Sequence, residues 1–166
     1  MLDRPNTAYP IREDMDFQRR DWLAERIGWA AVAVIVAVAL TGLLAGGPLS
    51  RATAVAPSQQ LSVDYERFQR VTVATHFTFH VASATRPVEL KLGPAFTSDF
   101  QIDSLQPAPL RDTQGPDGLR LTFAPPSNGG EFTMVMWCRP RHFGLVDLTA
   151  GLGALDSIRR VILIYP

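Results

Sequence analysis

The one cysteine of the chain stands four residues before a histidine, in Cys138-Arg-Pro-Arg-His142. A thiolate and an imidazole on one loop, an upstream imidazole and an axial thioether make up the donor set of a blue-copper site. His76 or His80 would be the upstream ligand. Two features argue against copper. No methionine follows Met136 to supply the axial sulfur, and 24 residues follow His142, more than one further strand needs. The simpler expectation puts Cys138 on one strand face with Phe132, Met134 and Met136, as a small buried hydrophobe. His76 and His80 are four residues apart. On a strand, at about 3.3 Å per residue, they lie some ~13 Å apart on one face, too far to share a metal. They read as two imidazoles on a polar outer surface with Thr72, Ala74 and Thr78. Neither G-x-S-x-G nor H-E-x-x-H occurs. Arg139, Arg141, Arg159 and Arg160 would form a basic patch if their segments were neighbours. No catalytic, cofactor-binding or metal-ligating residue is assigned, and no cofactor is expected.

The elements that must position these residues divide the chain in two. Of 166 residues, 46% are apolar, and 16 Lys+Arg balance 16 Asp+Glu. A net charge of zero argues against nucleic acid as a partner, because phosphate binding needs a basic excess. A single cysteine excludes an intramolecular disulfide and a multi-cysteine zinc site.

The apolar residues are concentrated. From Ile27 to Ser50 no residue is charged, and Ile27–Leu44 is almost wholly aliphatic. About 20 helical residues cross a hydrocarbon core of about 30 Å, so residues 27–45 read as a transmembrane helix. Trp22 and Trp29 suit an interface, and Gly46-Gly-Pro48 suits a helix stop. Ala52-Thr-Ala54 and Ala54-Val-Ala56 resemble cleavage sites. The apolar run is nevertheless longer than a signal peptide's, and six acids accompany five arginines before it. An uncleaved signal anchor is the expectation. Arg4, Arg12, Arg19, Arg20 and Arg26 precede the span and only Arg51 closely follows it. Residues 1–26 should therefore be a cytoplasmic tail, helical from about Asp14, with the C-terminal part outside. Fifteen of the sixteen basic residues are arginine, which suits a GC-rich bacterial genome and a periplasmic or extracellular outer domain. Within the span, Ala33, Ala37 and Thr41 share a stripe suited to close helix packing, as do Ala30, Val34 and Val38.

Residues 46–60, rich in Ser, Ala, Pro and Gln, read as a linker. Residues 61–166 have a period of two. Leu61–Phe68 alternates, Val71–Val81 puts Val71, Val73, Phe77, Phe79 and Val81 on one face, and Val88, Leu90 and Leu92 repeat the pattern. Later runs are 100–104, 119–123, 132–138, 145–149 and 158–165. Ile162, Leu163 and Ile164 are apolar on both faces, which suits an internal strand. Seven to eight short strands with Gly/Pro turns between them predict a mainly β, immunoglobulin-like sandwich.

Asp16-Phe-Gln-Arg-Arg-Asp-Trp22, the Gly46-Gly-Pro-Leu-Ser50 close and Val63-Asp-Tyr-Glu-Arg-Phe68 resemble small uncharacterised bacterial single-pass membrane proteins, companions of YetF-like membrane proteins. The resemblance covers nearly the whole chain and implies no activity, cofactor or site residue. The expected function is that of a non-enzymatic accessory subunit, held in a lipid bilayer of the bacterial cell membrane and binding another membrane or envelope protein. The alternative is an extracytoplasmic small-ligand or metal-binding module.

Overall fold

The computed structural model describes residues 15–40, 47, 49–127, 129–153 and 156–166, with side chains described from residue 18. The chain separates into two compact units, residues 1–38 and 39–166.

Helix α1 spans Met15–Leu40. It begins in the charged tail, so the expected helical extension ahead of the apolar run is present. Its residues from Gln18 to Leu40 are long and apolar enough to cross a membrane, and none is buried in protein. The Arg26 guanidinium lies 4.1 Å over the Trp22 ring. Ala33 and Ala37 are both helical and exposed, one above the other on the same face. Thr41, the rest of the expected span and most of the Gly46-Gly-Pro48 stop lie outside the described residues.

The second unit is a sandwich of two sheets. Its strands are β1 (Arg51–Val55), β2 (Leu61–Glu66), β3 (Phe68–Arg70), β4 (Thr75–Val81), β5 (Val88–Leu92), β6 (Phe100–Gln106), β7 (Arg111–Gly115), β8 (Gly118–Phe123), β9 (Phe132–Pro140), β10 (Gly144–Leu152) and β11 (Asp156–Tyr165). A one-turn helix α2, Ala95–Ser98, joins β5 to β6. One sheet has the order β1-β2-β4-β9-β6, the other β3-β11-β10-β5-β8-β7. The β3–β11 pair is parallel, and the other pairings are antiparallel. The mainly β class and the immunoglobulin-like, two-layer sandwich architecture follow from the alternation. Phe77, Phe79, Met134, Met136 and Cys138 from one sheet meet Leu90, Leu121, Phe123, Ile162 and Ile164 from the other in one buried cluster. Rings from both layers touch: Phe123 and Phe132 lie 5.3 Å apart. Phe96 of α2 plugs one flank, edge-on to Phe77 at 5.3 Å.

Three sequence expectations need correction. Residues 46–60 are not all linker, because Arg51–Val55 forms β1 and pairs with β2. Its Ala-Thr-Ala-Val alternation is real, and Ala54 is buried, but methyl side chains give a weak signal. No strand is expected between the runs 100–104 and 119–123, yet the all-polar β7, Arg-Asp-Thr-Gln-Gly, is an edge strand there with every residue exposed. Val73 does not share the core face of Phe77 and Phe79. Thr72 takes the left-handed φ of 65°, the chain turns there, and Thr75 fills the inward position while Val73 is exposed. Val71 is half-buried against the core. The expected internal placement of the last strand holds, since β11 lies between β3 and β10.

Candidate functional site: the outer face of the five-stranded sheet

Alternation places Thr133, Val135, Trp137 and Arg139 on the outside of β9, because Met134, Met136 and Cys138 point into the core. The register then assembles a polar lattice around Trp137. Trp137 pairs with His76 on β4 and with Ser104 on β6. Trp137 is 41% exposed, and its ring lies 4.9 Å from the His76 imidazole, tilted by 38°. Val135, Thr78, Asp64 and Thr53 form the next row across β9, β4, β2 and β1. Thr133, His80 and Ser62 form the row beyond.

His80 ties these rows together. Its Nε2 is 3.2 Å from Asp64 Oδ2, and its Nδ1 is 3.2 Å from Thr133 Oγ1 and 3.4 Å from Glu131 Oε1. Asp64 in turn accepts a hydrogen bond from the Thr53 hydroxyl. A hydroxyl, an imidazole and a carboxylate in a line resemble a nucleophilic relay. Here the hydroxyl is a threonine's, Glu131 competes for the same ring nitrogen, and the group lies on an open sheet face. The network fixes side chains on the surface and presents a mixed-charge rim. Beside it, Arg51, Thr53, Asp64, Glu66, His76 and Thr78 line an open concavity of about 570 Å³.

The copper arrangement is excluded by side-chain direction. Cys138 points into the core while His76 and His80 face outward, and His142 lies exposed in the β9–β10 turn. Among the described residues no three His, Cys, Asp or Glu side chains are grouped to hold a metal. Burial, with the charge of Asp103 as a lesser cause, pushes the Cys138 thiol up to about 12, so it is a poor nucleophile. His76 and His80 lie on one outward face, as the spacing predicts.

The four arginines do not form one patch. Arg139 pairs with Asp103 at 2.9 Å outside the five-stranded sheet. Arg159 forms a bidentate pair with Asp147 outside the other sheet. That guanidinium holds the Asp147 carboxyl below the usual carboxylate range. Trp137 was within reach of sequence reasoning, since a tryptophan flanked by inward Met136 and Cys138 must point outward. The hydrogen-bond network was not, because it depends on register among four strands.

These two parts define the class: a long apolar helix ahead of a two-sheet β-sandwich. No family model matches the sequence, and no curated protein matches it. Among solved structures the chain is similar to the cohesin module from the Clostridium perfringens ATCC13124 family 33 glycoside hydrolase. Identity is 12%, the match covers 66% of this chain and 96% of that one, and the TM-score is 0.48.

Proposed function

We propose that the protein is a non-enzymatic, membrane-anchored accessory subunit. In this reading α1 is a single span with its N-terminus cytoplasmic, and the sandwich lies on the periplasmic or extracellular side. The sandwich and the span together bind another membrane or envelope protein, with a YetF-like polytopic protein as the partner that the resemblance suggests. The observation that carries the reading is Trp137. A tryptophan on the inner strand β9, beside an imidazole and on one face with a row of hydrogen-bonded polar groups, has the make-up of an interface anchor: an apolar centre and a wet rim. Ala33 and Ala37 offer the span a close-packing face.

Purification from mild detergent, with mass spectrometry of co-eluting proteins, tests this. A partner should co-elute stoichiometrically. Trp137→Ala should weaken its retention at least ~30-fold, the scale of a ~2 kcal/mol anchor. Ala33→Leu with Ala37→Leu should weaken it further without disturbing the sandwich. Retention unchanged in both variants would refute the reading. The open concavity beside Trp137 supports a second reading, an extracytoplasmic small-ligand module. Saturable binding of a small molecule that protects His76 and Asp64 resonances, with no protein partner, would favour it.

A further inference from the structure

We infer that the sandwich rests one end of its six-stranded sheet on the lipid surface of the bilayer that α1 crosses. The inference relies on the reading of α1 as a span, and it concerns a surface other than the Trp137 face.

The outer face of this sheet is divided. At one end Glu89, Lys91, Arg120, Asp147 and Arg159 cover it, with Glu89–Arg120 and Asp147–Arg159 as ion pairs. At the other end it is apolar. Leu145 pairs directly with Leu163 across β10 and β11, and Leu163 pairs with Phe68 across β11 and β3. Val161, two residues along the strand, shares their face. Phe143 leads into β10. Exposures are 74% for Phe143, 75% for Leu145, 58% for Val161 and 40% for Leu163. Side chains so large and so exposed, side by side, mark a surface that something apolar covers.

Two observations identify lipid. The first is where the chain arrives from α1. Ser50 bonds through its hydroxyl to the Phe68 carbonyl at 3.2 Å, and its own carbonyl accepts from Arg67 N–H at 2.7 Å. Arg67 in turn accepts from Leu163 N–H at 2.9 Å. The arrival point, the strand β3 and the apolar row are therefore one contiguous piece of surface, with Leu49 exposed beside it. Ten residues, 41–50, separate α1 from β1, a reach of at most about 36 Å when extended. The second observation is charge. Arg67, Arg70 and Arg141 are exposed, and each lies within two residues of Phe68 or Phe143. Among the described residues none of the three forms a salt bridge. The acids in the same segments are Glu66, Asp99 and Asp147; Glu66 lies opposite Arg51 on the outer face of the other sheet, Asp147 is taken by Arg159, and Asp99 accepts from the Ser98 hydroxyl. Apolar side chains ringed by arginines match an anionic headgroup layer over acyl chains.

The test uses the full chain in sealed vesicles of phosphatidylcholine with phosphatidylglycerol. Cys138 is buried and will not compete for label, so one introduced cysteine carries a fluorophore, at Leu145→Cys or, as control, at Thr113→Cys on the opposite edge strand. Nitroxide-bearing lipid should quench the label at 145 and leave that at 113 bright. Arg67→Glu, Arg70→Glu and Arg141→Glu together, with β-rich circular dichroism retained, should reduce quenching at 145 to the control level. So should vesicles of phosphatidylcholine alone. Equal quenching at both positions in anionic vesicles that retain the protein through alkaline carbonate overturns this inference alone. Shielding at 145 that appears only at high protein-to-lipid ratio also overturns it, and assigns the patch to a second copy. Release by carbonate overturns the span, and the inference with it.

Discussion

Phe77→Ala removes the ring at the centre of the core. Phe77 is 1% exposed and meets Phe96 at 5.3 Å and Phe100 at 5.7 Å, both nearly edge-on. Returning about 150–200 Å² of its surface to water, at about 25 cal/mol per Å², costs about 4–5 kcal/mol. Measured Phe→Ala changes of about 3–5 kcal/mol agree, and they include the cavity left behind. For a domain of roughly 116 residues the unfolding entropy is about 0.24 kcal/mol per kelvin, so the melting temperature should fall by about 12–20 °C. Urea denaturation and thermal melting of residues 47–166, each followed by far-ultraviolet circular dichroism, would measure the two. A cycle with Phe96→Ala isolates the edge-to-face contact, which should contribute about 0.5–1.5 kcal/mol of coupling. A loss below roughly 1 kcal/mol for Phe77→Ala would refute the argument. So would strict additivity with Phe96→Ala, since α2 would then not be packed on that ring.

Cys138 should resist a thiol reagent at neutral pH in the native protein and react within the mixing time in denaturant; rapid native labelling would contradict its burial. Asp147 should titrate below an ordinary aspartate by NMR, and Arg159→Gln should return it to the usual range. A carboxyl held low contributes stability above its unfolded pKa that is lost as pH falls through its folded pKa, so the variant should lessen acid sensitivity; an unchanged Asp147 titration would refute the pairing. Gly118→Ala should destabilise the β7–β8 turn by about 1–3 kcal/mol, because Gly118 has φ +110° and a Cβ there would lie 2.0 Å from the Leu92 carbonyl oxygen; a neutral result in urea denaturation would refute that geometry.

Sequence periodicity was most informative where side chains are large. Phe77 and Phe79 alternate with the polar His76, Thr78 and His80, and with Met134, Met136, Ile162 and Ile164 they all face the core. It failed where the burial signal is small or absent. β1 offers only alanines and a valine, and β7 is held by its backbone ladder alone. The candidate site was legible in part. His76 and His80 face outward together as their spacing requires, but the partners of His80 come from β2 and from the β9 end. No local pattern reports which strands are neighbours. The basic patch failed for the same reason: Arg139 and Arg159 belong to different sheets, each facing a carboxylate of its own.

The four sheet margins bear on how such domains coexist when confined to one surface at high local density. Unpaired N–H and C=O groups along a strand recruit further strands, and crowding in two dimensions would favour such polymerisation. Each margin here is interrupted differently. β3 is three residues long. β6 carries a register break between Ile102 and Ser104. β7 presents only Arg, Asp, Thr, Gln and Gly and leads into Pro116. β1 opens with Arg51 and is followed closely by Pro57. A domain blunted on every margin is steered toward engaging others through the broad faces of its sheets, so that contacts form between defined surfaces and end there, without growing into fibres.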